Sequence, residues 1–168
     1  MKKKKKLILI IMIAIGITLL VTGSGMILVT ALTSTKTALT SEEFKEKAKV
    51  HNLEVEDVEI TGQNGEKNSD IQEATYATSK NGWVIEYYIV KDEDTAKSLY
   101  LETKKIFKTY QNDMSEEKNE TKKNYDYYTL KTQTSYFHVC RVDNTILSIN
   151  AKDDDEKQII EIIKKLGY

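Results

Sequence analysis

The hydrophobic positions of this chain fall into two regimes: one unbroken run near the N-terminus, then short segments with periods of two or of about 3.6. Leu7 to Thr35 is a stretch of 29 residues without a charge, opening LILIIMIAIGITLLV. About 20 apolar residues in a helix cross roughly 30 Å of hydrocarbon. The run therefore predicts a transmembrane helix over residues 7–30 and a juxtamembrane stalk over 31–39. Lys2 to Lys6 precede it, and positive residues resist translocation. The expected topology is a cytoplasmic lysine tail at 1–6, a single-pass anchor in the cell membrane and an extracytoplasmic domain over 40–168. The competing reading is a cleaved signal sequence, because Val21-Thr22-Gly23 and Val29-Thr30-Ala31 offer the small residues a signal peptidase inspects. The domain would then be secreted.

Beyond residue 40 the pattern changes to elements of a folded domain. Thr40-Ser41-Glu42-Glu43 has the form of a capping box, and Phe44, Ala48 and His51 follow at helical spacing. A short helix is expected from Ser41 to His51, and Leu53, Val55, Val58 and Ile60 then read as an extended connector. Ile71 to Ser79 and Trp83 to Val90 are rich in β-formers and flank Lys80-Asn81-Gly82, a tight-turn signal. Asp92 and Asp94 are N-cap candidates for a helix whose stripe is Ala96, Leu99, Tyr100, Thr103, Ile106, Phe107 and Tyr110. Gln111 to Asn124 is charged and reads as a loop. Three further strands are expected at Tyr125–Thr132, Tyr136–Val142 and Thr145–Ala151, the last two joined at Asp143-Asn144. A final helix carries Ile159, Ile162, Ile163 and Leu166, with Asp153 and Glu156 at its start and Gly167 closing it. The expected fold is α+β: a transmembrane helix, then an antiparallel sheet of about five strands with a short first helix. Two further helices each follow a hairpin and pack on one face of that sheet.

Charge sharpens the picture. Lys2 to Lys6 hold five of the 25 cationic residues, and all 26 acidic residues lie at or beyond Glu42. Residues 36–168 keep 20 cations against 26 acids, a net charge of −6. That balance and a single arginine, Arg141, exclude a nucleic-acid partner. One cysteine, Cys140, forms no internal disulfide, so the domain is held by burial alone. No cysteine stands directly after the apolar run, which argues against a lipoprotein.

The stretches Thr40-Ser41-Glu42-Glu43-Phe44-Lys45, Ile85-Glu86-Tyr87-Tyr88 followed by Asp92 to Ser98, Arg141-Val142-Asp143-Asn144-Thr145 and Leu166-Gly167-Tyr168 carry a resemblance. The chain resembles small, uncharacterised membrane-anchored or lipoprotein ectodomains of low-G+C Gram-positive bacteria. The shared motifs are caps, turns and helix stripes. The resemblance thus implies localisation and fold and assigns no catalytic residue.

Candidate chemistry is sparse. His138 and Cys140 are two apart in an expected strand, so their side chains share a face about 7 Å apart. A thiolate–imidazole pair is one reading, and inert packing is the other. The acids at Asp153–Glu156 and Asp92–Asp94 suit helix N-termini better than calcium, because the alternating ligands and glycine of a calcium loop are missing. Two histidines exclude a histidine-rich metal site, and no cofactor motif is present. Tyr87, Tyr88, Tyr125, Tyr127 and Tyr128, all in expected strands, form a candidate binding face for carbohydrate or an envelope protein, although tyrosine is also an ordinary strand residue. The expected function is a non-catalytic, membrane-tethered binding or accessory domain outside the cell. The alternatives are an envelope enzyme using Cys140 and His138, or an immunity or stress protein at the membrane.

Overall fold

The computed structural model describes residues 35–61, 66 and 68–168. In chain order the elements are helix α1 (Ser41–Val50), strands β1 (Glu54–Asp57), β2 (Ile71–Thr78) and β3 (Val84–Val90), and helix α2 (Glu93–Lys108). Strands β4 (Glu116–Thr121), β5 (Tyr125–Lys131), β6 (Ser135–Val142) and β7 (Thr145–Lys152) follow, and a 3₁₀ turn (Asp153–Asp155) leads into helix α3 (Glu156–Leu166). Thr35 to Tyr168 form one compact unit.

The caps follow the local chemistry. Thr40 accepts from the Glu43 amide while the Glu43 carboxylate accepts from the Thr40 amide, so two orphan donors of α1 are satisfied reciprocally. Asp92 accepts from the Thr95 amide at 2.7 Å. Gly167 ends α3 at φ +95°, a left-handed conformation that favours glycine. Asp153 and Glu156 do not cap α3. Both bind Lys131 instead, at 3.1 and 2.7 Å.

The strands form one antiparallel sheet in the order β1-β2-β3-β7-β6-β5-β4. Seven strands replace the expected five or so. The two additions are the edges, β1 in the supposed connector and β4 in the supposed loop. Neither segment, Glu-Val-Glu-Asp or Glu-Glu-Lys-Asn-Glu-Thr, has the apolar alternation that marks a half-buried strand, because an edge strand can be held by its ladder alone. Their charges also discourage edge-to-edge association.

The helices occupy both faces of the sheet, not one. Phe44 and Ala48 of α1 and Ile159, Ile162, Ile163 and Leu166 of α3 pack on Ile85, Tyr87, Leu147, Ile149 and Cys140 on the first face. Ala96, Tyr100 and Phe107 of α2 cover Val90, Tyr128, Leu130, Phe137, Val139 and Ile146 on the second. The cause lies in β6 and β7, whose alternate positions are buried on both sides. A strand apolar at both parities needs cover on both faces. Of the expected α2 stripe, Ile106 and Tyr110 instead stay largely exposed.

Among the described residues no helix is long and apolar enough to cross a membrane. The transmembrane element expected of this fold is therefore not among its three helices, and the segment predicted to hold it, residues 7–30, lies outside the described residues. Lys36 to Leu39 pack on the domain. Lys36 and Asn124 exchange two hydrogen bonds, and Leu39 is buried in the first-face core.

Candidate functional site

A seven-stranded sheet is about 29 Å wide at roughly 4.8 Å per strand pair, and two helices of about 10 Å diameter cover only about 20 Å of it. On the first face α1 sits over β1 and β2, and α3 follows from β7, so the shortfall appears over β4, β5 and β6. The sheet there forms the floor of a cleft of about 400 Å³, with α3 as one wall and Lys36 and Tyr168 at its margin.

Strand alternation decides which side chains enter it. Glu116 and Lys118 of β4, Tyr127, Thr129 and Lys131 of β5, and Tyr136 and His138 of β6 all point to the first face and line the cleft. Ile160, Ile163 and Lys164 supply the α3 wall. The apolar surface comes from tyrosine rings and isoleucines, and the charge from four lysines against two glutamates. Lys131 is engaged by Asp153 and Glu156. Among the described residues Lys36, Lys118 and Lys164 make no ion pair, so the lining is cationic in an otherwise acidic domain.

His138 is the chemical singularity of this cleft. It is only 7% exposed, and neither Nδ1 nor Nε2 has a hydrogen-bond partner among the described residues. Its ring lies parallel to that of Tyr127, with centroids 6.4 Å apart. Burial, aided by the Lys36 charge, pulls its pKa down to about 3, so the imidazole is neutral, with one ring nitrogen able to donate and the other able to accept. An unpaired buried polar group costs on the order of 1 to 3 kcal/mol. His138 carries two such atoms, both sealed within the cleft lining, and a ligand that displaces a lining side chain would relieve that cost.

Cys140 shares the His138 face, as the spacing predicts, but it is packed in the first-face core, where burial pushes its pKa up to about 12. Reactive thiolate–imidazole pairs need the thiol pKa lowered, beside a cationic partner. Here both shifts run the opposite way, and both groups stay neutral.

The five tyrosines singled out by sequence do not share a face, since neighbours on a strand point to opposite sides. Tyr87 is buried on the first face, stacked on Phe44 and donating to the Leu39 carbonyl. Tyr125 is buried there as well, beneath the Lys36 ammonium. Tyr88 lies on the second face, where its hydroxyl donates to Glu86, and Tyr128 is buried there below Lys104 and Lys108. Only Tyr127 lines the cleft. The lysines, Tyr136 and Tyr168 carried no separate signal in sequence. Ile160 did carry one, as an apolar residue beside the α3 stripe that the stripe does not need.

Among the described residues no group of three or more histidine, cysteine, aspartate or glutamate side chains is placed to hold a metal ion. No family model matches the chain, and none of the curated proteins does. Among solved structures, a GTP binding regulator from Thermotoga maritima matches with 14% identity and a TM-score of 0.40, over 77% of this chain and 85% of that one. A likeness that distant carries no functional argument.

Proposed function

We propose that the chain is a non-catalytic binding module, exported from the cytoplasm, whose ligand site is the first-face cleft over β4, β5 and β6. The observation that carries the proposal is the buried His138, which lines an open cavity with Tyr127 and Tyr136 and whose two ring nitrogens are sealed and unpartnered within that lining. Support for a non-catalytic role comes from Cys140, which burial keeps as a thiol. Export rests on the charge asymmetry around the uncharged run, Lys2 to Lys6 on one side and the acidic domain on the other.

A photo-crosslinking residue placed at Thr129 in the native cell tests the binding reading, with the same residue at Lys97 on α2 as control. A discrete adduct recovered from position 129 and absent from position 97 is expected. Identical adduct patterns at both positions would remove the cleft as the site. Protease added to intact cells stripped of their wall should digest the domain, and digestion only after lysis would refute export. Turnover lost in both Cys140→Ala and His138→Ala would favour an envelope enzyme.

A further inference from the structure

The composition of the cleft specifies more than the existence of a ligand. Its walls are apolar, from Tyr127, Tyr136, Ile160 and Ile163, and an apolar body gains affinity by leaving water there. Its charge is one-sided. Lys131 is already held by two acids, so the groups left to meet a ligand are Lys36, Lys118 and Lys164 against Glu116. Within the floor His138 holds one N–H and one bare nitrogen, both buried and unpartnered, and a ligand meets them by displacing a lining side chain.

A cationic ligand would face this surplus of lysines, and a purely apolar one would leave His138 unsatisfied. A ligand that is apolar and anionic meets both demands, because a carboxylate accepts from the imidazole N–H and from ammonium groups at once. Resting on the cleft as the binding site, we infer that it takes a small amphipathic monocarboxylate, with its apolar body on the tyrosine and isoleucine walls and its carboxylate among Lys118, Lys164 and His138.

The assignment extends to regulation by charge. The domain as a whole is acidic, with 20 cations against 26 acids over residues 36–168, so its overall field opposes anion approach. The local lysines must overcome that field, and salt screens exposed charges over roughly 10 Å. Affinity for the carboxylate should therefore depend on ionic strength, whereas affinity for a neutral occupant should not.

The test uses full-length protein and three probes: Nile red, an uncharged dye that reports apolar binding; dodecanoate below its micellar range; and dodecyltrimethylammonium, a similar chain with a cationic head. Dodecanoate should displace Nile red at concentrations at least tenfold lower than the ammonium compound. Lys118→Glu together with Lys164→Glu should weaken dodecanoate by about tenfold or more and leave Nile red bound, whereas Lys97→Glu on the opposite face should change neither. His138→Leu should likewise weaken dodecanoate by about tenfold. Lys118 sits on an exposed edge strand, so its variant tests the idea even if His138→Leu does not fold. Equal displacement by the two head groups would overturn the carboxylate assignment and leave the cleft reading intact. Failure of Nile red to bind wild-type protein, with no heat from any probe, would overturn both.

Discussion

Phe107→Ala probes the arrangement that most distinguishes this fold, a single helix covering the second face of the sheet. Phe107 is 6% exposed and lies against Phe137 with ring centroids 5.0 Å apart. Removing a buried phenylalanine ring costs about 3 to 5 kcal/mol, part transfer and part cavity. Tyr110 stacks on the same Phe137 at 4.9 Å and is 55% exposed, so it can lean into some of the vacated space. The expected loss is therefore at the lower end, about 3 kcal/mol, against a whole-domain stability of about 5 to 15 kcal/mol. At an unfolding entropy of about 2.1 cal/mol/K per residue, that lowers the midpoint of thermal unfolding by about 10 °C. Ile106→Ala on the same helix is the control, since Ile106 is 58% exposed and its truncation should stay within about 0.5 kcal/mol of wild type. Urea unfolding of the three proteins checks both values. Equal stabilities of Phe107→Ala and Ile106→Ala would refute the docking of α2 on this face.

Three further outcomes follow from buried groups. Arg141 and Asp126 form a buried pair at 2.7 Å across β5 and β6, so Asp126→Ala, which strands the guanidinium, should cost about 3 to 5 kcal/mol in the same urea assay. His138 has a pKa lowered from 6.5 to about 3, so below pH 6.5 the unfolded chain takes up a proton that the folded chain refuses, and stability falls with pH until about 3. Between pH 7 and 5 that contribution amounts to about 2 kcal/mol, and a folded His138→Leu should lack it. Cys140, with its thiol pushed up to about 12, should react with a disulfide reagent orders of magnitude more slowly in native protein than in urea, and rapid native labelling would contradict its burial.

Much of this fold was legible because its signals were local. The Thr40–Glu43 capping box, the Asn81-Gly82 and Asp143-Asn144 turns and Gly167 each depend on the chemistry of a few neighbouring residues, and each stands where the sequence places it. The edges were not legible, because Glu54–Asp57 and Glu116–Thr121 are strands by virtue of their partners' ladders rather than of their own composition. The two-faced sheet was legible in principle: Tyr-Phe-His-Val-Cys-Arg-Val in β6 runs without a polar-out alternation, which already demands two covers. The candidate site was the least accessible. Its lining comes from β4, β5, β6, α3 and the segment around Lys36, and what unites these residues is the part of the first face that α1 and α3 leave bare. In sequence His138 stands out only as a partner for Cys140, two residues away. Its isolation from any hydrogen-bond partner is a property of the assembled core, and no spacing rule contains it.

The chain has two histidines, His138 in the cleft and His51 at the end of α1, which makes histidine NMR the most direct test of the cleft as a ligand site. Full-length protein with isotope-labelled histidine is titrated with dodecanoate at pH 7. The His138 ring nitrogens should shift and saturate with the ligand while the His51 signals stay in place. An unmoved His138 at saturating dodecanoate, or parallel shifts of both histidines, would contradict it.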